Sequence, residues 1–160
     1  RQIDEDRIAA FVSPAIVFNG SQLASVDGVF NAVLIRGDMV GDVCFYGRGA
    51  GKLPTASAVA ADMMDCAKHV HRKKIFGWGP GNEDYVIDYK VTLKMSFYVR
   101  AKAAQTQIQS VFDEVKFLTR TGQPSDETAF ITDEMTQNEL DEKLKAAGID
   151  VLSKIKIANY

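Results

Sequence analysis

The first half of the chain changes from strand-like to helical spacing of its apolar residues. Two apolar runs, GVFNAVLI and MVGDVCFY, are separated by a short turn at residues 36–38, which predicts a β-hairpin. Apolar residues at 56–70 then recur three and four positions apart and predict a helix with Pro54 in its first turn. Residues 8–18 read as an earlier strand, interrupted at Ser13-Pro14 because proline cannot donate to a central ladder.

The second half begins with strict alternation of apolar and polar residues over 91–100, which predicts a half-buried strand. Helical spacing follows over 108–115, and strands are expected at 116–120 and 128–132 on either side of a turn. Thr136 and Glu139 then have the spacing of a capping box, in front of a helix that Gly148 ends. With a last strand at 151–157, the order is βαββαβ.

The glycine- and proline-rich segment Gly77-Trp78-Gly79-Pro80-Gly81-Asn82 cannot continue a helix or build a regular strand, so we expect a domain boundary there. The expected domains are residues 1–76, a linker at 77–83, and residues 84–160. The fold class is therefore α+β: a hairpin and a helix from a mixed α/β domain, followed by a βαββαβ domain of the ferredoxin-like, split-βαβ kind.

Composition excludes several classes of function. Hydrophobic residues make up 46% and charged residues 25% of the chain, and the formal charge of −2 argues against nucleic-acid binding. No apolar stretch reaches the roughly 20 residues that span a bilayer, so we expect no membrane partner. Cys44 and Cys66 have no metal-like or C-x-x-C spacing and suit a cytoplasmic protein with reduced thiols. No metal site is expected.

Glycines 47, 49 and 51 lie between the second strand of the hairpin and the helix, where backbone N–H groups can receive an anion. The motif is not a Rossmann fingerprint, since Lys52 occupies the position of its third glycine. Nor is it a Walker A loop, because Tyr46 and Leu53 stand where glycine and Ser/Thr are needed. From the residues alone, the segment is either a tight strand-to-helix turn or a close approach of backbone to ligand.

The same segment lies within a longer pattern: VDGVFNAV at 26–33, GDVCFYGRGAG at 41–51 and LPTASAV at 53–59. This pattern resembles, in one register from about Arg7 to Lys68, the C-terminal signature region of homoserine dehydrogenases. Ser13 stands where many members of that family have histidine before the proline.

The resemblance implies an NAD- or NADP-dependent oxidoreductase that interconverts L-homoserine and L-aspartate 4-semialdehyde, in threonine, methionine and isoleucine biosynthesis. It implies that Gly51 contacts the cofactor, with Gly49, Ala50 and Gly47 shaping the loop. The Rossmann domain and the catalytic lysine of that family have no counterpart in these residues. We therefore expect no catalytic residue here and no activity from this chain alone.

The resemblance also implies a homo-oligomer, with a dimer as the expected form. Residues 28–46 are apolar on both faces, which predicts that another surface covers them. The second half resembles an ACT-type regulatory domain, with threonine as an expected effector. The turn at 101–105 lacks the glycine that such effector loops commonly carry. The alternative function is a non-catalytic module that senses an amino acid or mediates assembly. His69-x-His71 is interpreted as basic helix-end residues rather than a metal pair.

Overall fold

The structure, a computed structural model, describes residues 1–72, 77, 81 and 83–158. They form two compact units: unit 1 comprises Arg1–Phe18 and Gly81–Tyr160, and unit 2 comprises Asn19–Pro80. Most of the expected linker at 77–83, including Trp78, lies outside the described residues. Within the described part of the chain, no helix is long and apolar enough to cross a bilayer.

The strands are β1 (Ala15–Val17), β2 (Phe30–Gly37), β3 (Gly41–Arg48), β4 (Phe97–Lys102), β5 (Val115–Leu118), β6 (Thr128–Thr132) and β7 (Asp150–Ala158). The helices are α1 (Lys52–Lys68), α2 (Tyr89–Thr92), α3 (Gln105–Gln109) and α4 (Gln137–Ala146). Two short 3-10 turns occur at Gln22–Ser25 and Glu83–Tyr85.

Unit 1 contains a five-stranded mixed sheet in the order β1-β7-β4-β6-β5. β1 runs parallel to β7, and the other neighbours are antiparallel. From β4 to β7 the elements follow the predicted order βαββαβ. Their strand order, in which β4 lies between β7 and β6, is the split-βαβ arrangement.

The core of unit 1 follows the two-residue period of β4. Phe97, Val99 and Ala101 alternate inward and are fully buried. Ile108 of α3 and Leu140 of α4 are fully buried in the same cluster. Burying each large apolar side chain contributes about 1.5–3 kcal/mol, so this cluster is the main source of stability in the unit.

The predicted strand at 91–100 is wrong at its beginning. The Asp88 side chain accepts a hydrogen bond from the Lys90 N–H at 2.9 Å and caps the helical turn α2. Residues 91 and 92 are therefore helical, and β4 begins only at Phe97. The hydrogen bond from the Lys90 N–H to the Asp88 side chain stabilises a helical turn in place of the strand. The alternation of apolar and polar residues does not reveal this competing turn. The predicted helical run at 108–115 is similarly shortened: α3 ends at Gln109, and Val115 begins β5.

The capping box before α4 is confirmed. The Glu139 N–H donates to the Thr136 hydroxyl at 3.2 Å, and the Thr136 N–H donates to the Glu139 carboxylate at 2.7 Å. Leu140 and Leu144 form the buried stripe of the helix. Gly148, at φ 62°, ends it in the left-handed conformation that favours glycine.

The grouping of residues 1–18 differs from the expected boundaries, which placed them with residues up to 76. Ala15–Val17 pairs with Lys156–Ala158 of β7, and Ile8 bridges Val86. The Phe11 and Tyr89 rings stack 4.7 Å apart. These backbone and ring contacts join the N-terminal segment to unit 1, and sequence periodicity could not identify the partner strand.

Unit 2 contains the predicted hairpin, with β2 and β3 in register from Phe30↔Arg48 to Gly37↔Gly41. Its loop lies at 38–40 rather than at the predicted 36–38. Arg36 instead extends the ladder, where its guanidinium pairs with Asp42 through two hydrogen bonds. No described residue of unit 2 is buried. The same holds for every residue of α1, the helix that the sequence predicted. A two-stranded hairpin without a buried face is only marginally stable in water.

Because the buried core lies in unit 1, replacing a phenylalanine by alanine should lower the free energy of unfolding much more in unit 1 than in unit 2. Phe130 is fully buried, so Phe130→Ala should lower the free energy of unfolding by about 3–5 kcal/mol. Phe45 is 62% exposed, so the matched change Phe45→Ala should alter it by less than about 0.5 kcal/mol. Denaturant unfolding followed by circular dichroism measures both. Equal losses would contradict this location of the core.

The capping box predicts a pH dependence. The Thr136 backbone N–H, with the Thr136 side chain, holds the pKa of Glu139 below its usual value. Because the folded-state pKa is depressed, the stabilisation is present above the unfolded pKa and is lost as pH falls through the folded pKa. The melting temperature of Glu139→Gln should therefore lie below that of the parent chain at neutral pH and approach it in acid. Glu142→Gln, which removes a charge from the same helix but no capping bond, is the control.

Candidate functional site

The candidate site is the turn formed by residues 47–51, between β3 and α1. Gly47 and Arg48 are the last two residues of β3, and Lys52 begins α1. All five turn residues are exposed. The structure thus brings the four predicted residues, Gly47, Gly49, Ala50 and Gly51, together on one solvent-accessible turn.

The three glycines of the turn differ in the physical reason for having glycine at that position. Gly51 has φ 116° and ψ 155°, a conformation that side chains disfavour. A Cβ atom at Gly49 would lie 1.7 Å from the Asn31 amide nitrogen of the neighbouring strand. A Cβ atom at Gly47 would meet no atom within 4 Å. Internal packing therefore explains Gly49 and backbone conformation explains Gly51, whereas neither explains Gly47.

The first turn of α1 offers backbone donors. The first intrahelical hydrogen bond runs from the Thr55 N–H to the Gly51 carbonyl at 3.1 Å. The Lys52 and Leu53 N–H groups precede it, and no side chain caps the helix. Pro54 has no N–H, so it leaves no further donor to satisfy. These donors and the positive end of the helix dipole suit an anionic group.

Sequence analysis did not select Arg48, which the structure fixes within the turn. Its guanidinium carbon lies 5.0 Å from the centre of the Phe30 ring, in cation–π geometry. The Phe30 ring in turn stacks on Tyr46 at 5.0 Å. The signal available in the sequence was an arginine between two glycines, but its partner on the opposite strand depends on the hairpin register.

The other charged residues singled out in the sequence do not join this turn by any described contact. His69 Nδ1 lies 3.0 Å from the Asp65 carboxylate, one helical turn away. Glu139 is committed to the capping box of α4. Across residues 1–72, 77, 81 and 83–158, no group of three or more His, Cys, Asp or Glu side chains could hold a metal ion.

Among the described residues of unit 1, the sequence did not indicate the following two cavities. The larger is an open cleft of about 690 Å³, between residues 103–105 and the β5–β6 loop at 119–127, with Arg120, Asp126 and Glu127 in its lining. The smaller, of about 290 Å³, lies beside β7 and is lined by Ser13, Pro14, Phe97, Gln137 and residues 154–156. Both join segments that are distant in the chain, so local patterns could not reveal them.

Comparison with known proteins connects the candidate turn to a family. Residues 2–64 match the family model described as homoserine dehydrogenase. The chain is 41% identical over 98 residues to homoserine dehydrogenase from Neisseria gonorrhoeae, covering 58% of this chain and 22% of that protein. It is 50% identical over 64 residues to the Lactococcus lactis enzyme, covering 40% of this chain and 15% of that protein. The chain thus spans less than a quarter of the length of these relatives.

Solved structures extend the likeness to both halves of the fold. The crystal structure of a homoserine dehydrogenase from Thiobacillus denitrificans matches 98% of this chain and 40% of its own, with a TM-score of 0.73 and 22% identity. A Staphylococcus aureus homoserine dehydrogenase structure matches 92% of this chain and 37% of its own, with a TM-score of 0.65 and 22% identity. At this identity, the match supports the fold.

The fold and the turn define an α+β protein with a mixed sheet and a glycine-rich strand-to-helix turn. The chain matches the C-terminal portion of homoserine dehydrogenases, and residues 2–64 match the model of that family. The resemblance predicted from the sequence is confirmed.

The distinct constraints on the glycines predict distinct effects of alanine. Gly49→Ala should disturb the hairpin, because its new methyl group overlaps Asn31, and Gly51→Ala should cost about 1–3 kcal/mol in local strain. Gly47→Ala should leave the hairpin intact and is the matched control. Cross-strand nuclear Overhauser contacts and amide exchange of β2 and β3 report the result. Equal disturbance by Gly47→Ala and Gly49→Ala would contradict the assignment.

Proposed function

We propose that this chain forms part of a homoserine dehydrogenase, with the turn at 47–51 next to the nicotinamide cofactor. The observation that carries the proposal is the unconstrained Gly47 in a turn whose sequence matches the family. Open space at Gly47 allows close approach of a ligand to the backbone. Within residues 1–76, the part after residue 18 then forms the end of the catalytic and dimerisation domain, and residues 77–83 link it. Residues 84–160, completed by the N-terminal strand that pairs with β7, form an ACT-like regulatory domain.

The residues present fit an NAD or NADP cofactor. Gly51 is proposed to contact it, with Gly49 and Ala50 shaping the approach and Gly47 leaving room for it. The N–H groups of Lys52 and Leu53 supply unpaired donors for an anionic oxygen of the nucleotide. When bound, the nicotinamide would supply reversible hydride exchange with the oxygen-bearing carbon of the substrate, so that L-homoserine and L-aspartate 4-semialdehyde interconvert. The part of this chain is to position the nucleotide.

No residue described in this chain is proposed as the proton shuttle of the reaction. Lys52 lies at the start of α1, and no acidic side chain is in hydrogen-bonding contact with it in the described part of the structure. A G-x-G-x-x-G unit, which would cradle the pyrophosphate, does not occur in the printed sequence. We therefore propose that the catalytic groups of the parent enzyme lie outside these 160 residues, and that this chain alone does not turn over.

A homodimer is proposed from the apolar surface of unit 2. Val33, Ile35 and Phe45 of the hairpin are 58%, 50% and 62% exposed, and Leu53 and Met63 of α1 are 79% and 68% exposed. Apolar side chains at this density, on a unit whose described residues are all at least partly exposed, are typical of a surface that another domain or subunit covers.

The pathway proposed for the parent enzyme is threonine, methionine and isoleucine synthesis in the cytoplasm.

The proposed cofactor contact predicts a binding defect in the parent enzyme. Gly47→Val would place a branched side chain in the open space next to the turn and should raise the KM for the nicotinamide cofactor by at least about tenfold. Gly20→Val is the control, since Gly20 also has open space around it but lies outside the turn. Steady-state kinetics with homoserine and each cofactor measure both. An unchanged KM for Gly47→Val would overturn the contact.

A second candidate function, amino-acid sensing by an ACT-like domain, is favoured by the 690 Å³ cleft. Arg120 in its lining can pair with a carboxylate, and Asp126 and Glu127 can pair with an ammonium group. The Glu127 side chain is only 15% exposed, and its Oε2 atom forms no hydrogen bond but lies 3.6 Å from Arg100 Nε and 4.0 Å from Arg120 Nη2. Asp126 pairs with Lys102 at 3.7 Å, so a bound amino acid would exchange these ion pairs for its own. The cleft also includes the turn at 103–105, within the segment where the effector loop was expected.

Titration calorimetry with threonine should distinguish sensing from assembly. If the cleft senses threonine, heat of binding should appear for the parent chain and weaken by about tenfold or more for Arg120→Met. Arg72→Met, outside the cleft, is the control. If neither threonine nor the other aspartate-family amino acids give a heat of binding, assembly remains the proposed function of residues 84–160.

A further inference from the structure

Asn31 places a polar side chain on an otherwise apolar face of the hairpin. It pairs with Gly47 across the ladder, and side chains of directly opposed residues point to the same face of a sheet. The next pair on that face is Val33 and Phe45, which are 58% and 62% exposed. Asparagine is depleted in strands, so strand formation does not explain this residue.

Packing explains the size of the Asn31 side chain but not its polarity. Its amide nitrogen occupies the space that a side chain at Gly49 would need. A leucine side chain, which has a similar size, would also fill that space. The Asn31 amide forms no hydrogen bond to any described residue. Its donor and acceptor groups are therefore unused within the described part of the chain.

The space on the strand opposite Asn31 is open. A Cβ atom at Gly47 would meet no atom within 4 Å, so this glycine leaves a gap directly across the ladder from Asn31. Beyond the gap on the same face lie the apolar side chains of Val33 and Phe45. An amide beside an open, partly apolar surface suits a flat ring with one polar substituent.

A ligand that covers this gap removes water from the Asn31 amide. An amide that loses its water without gaining a partner is costly, so the ligand must offer hydrogen bonds in return. The Asn31 side chain has both a donor and an acceptor, and a primary carboxamide matches it with an acceptor and a donor of its own. The nicotinamide ring is flat and carries a primary carboxamide.

We propose that Asn31 binds the carboxamide of the nicotinamide ring, an inference that rests on the proposed placement of the cofactor next to the turn. Asn31 Oδ1 accepts a hydrogen bond from the carboxamide NH₂ group, and Asn31 Nδ2 donates one to the carboxamide oxygen. Gly47 leaves the room for the ring. Asn31 is thus a specificity residue, which distinguishes nicotinamide from rings that lack the amide.

Binding to the parent enzyme tests this role without measuring turnover. The probes are NADH and NADPH, their analogues with an acetyl group in place of the carboxamide, and ADP-ribose, which lacks the ring. Fluorescence titration measures the reduced cofactors, and calorimetry measures ADP-ribose. The parent enzyme should bind the natural cofactor more tightly than its acetyl analogue, because the acetyl group has no N–H donor for Asn31.

Asn31→Leu keeps the space below Gly49 filled but removes both hydrogen bonds. It should weaken binding of the natural cofactor by about tenfold or more, abolish the preference over the acetyl analogue, and leave ADP-ribose binding unchanged. Asn31→Asp has nearly the same shape as asparagine and lacks only the donor, so it provides the same test if Asn31→Leu fails to fold. Asn138→Ala, at an exposed asparagine of α4, is the control.

The outcomes separate this inference from the proposed function. If the parent enzyme binds neither NADH nor NADPH, the proposed function is wrong and the role of Asn31 with it. If the parent enzyme binds the cofactor and folded Asn31→Leu retains both the affinity and the preference over the acetyl analogue, only the role of Asn31 is wrong. Equal weakening of ADP-ribose binding would also overturn the contact, because it would show a general disturbance of the turn.

Discussion

The structure depends on one layer of contact, in which α3 and α4 cover the inward-facing residues of β4 and β6. Phe97, Val99 and Phe130 from the strands meet Ile108 and Leu140 from the helices, and all five are fully buried. Nothing comparable exists among the described residues of unit 2. Because apolar burial is the largest favourable contribution to folding, unit 1 contains the stability of this chain and unit 2 contributes little of its own.

The candidate turn has a defined geometry although no described residue of its unit is buried. Hydrogen bonds fix the register of β2 and β3, and that register places Asn31 against Gly49 and Arg48 over Phe30. The geometry of the turn is therefore local. The apolar residues of the hairpin and of α1 are exposed, which is the physical reason for linking the proposed cofactor contact to the proposed assembly.

Sequence periodicity predicted the elements whose partners are near in the chain. The hairpin, α1, β6 and the capping box at Thr136 and Glu139 follow from alternation, helical spacing and short-range hydrogen bonds. The family resemblance rests on the same first half. The four turn residues were identified from the sequence, while their cofactor role stays a prediction.

Non-local contacts account for what the sequence could not predict. The α2 turn displaced the start of β4 because the Asp88 cap competes with an otherwise convincing alternation. The pairing of β1 with β7, and both cavities of unit 1, join segments far apart in the chain. Arg48 was missed because its aromatic partner belongs to the opposite strand.

The edge position of β1 has a consequence for modularity. Residues 2–64 match one family model, yet Ala15–Val17 from within that stretch completes the sheet of the other compact unit. A cut or recombination crossover at the glycine-rich segment would therefore separate β7 from its parallel neighbour and expose the backbone groups of a sheet edge. The C-terminal half of this chain is consequently not a self-contained domain. If it is transferred to another protein, the first eighteen residues must be transferred with it.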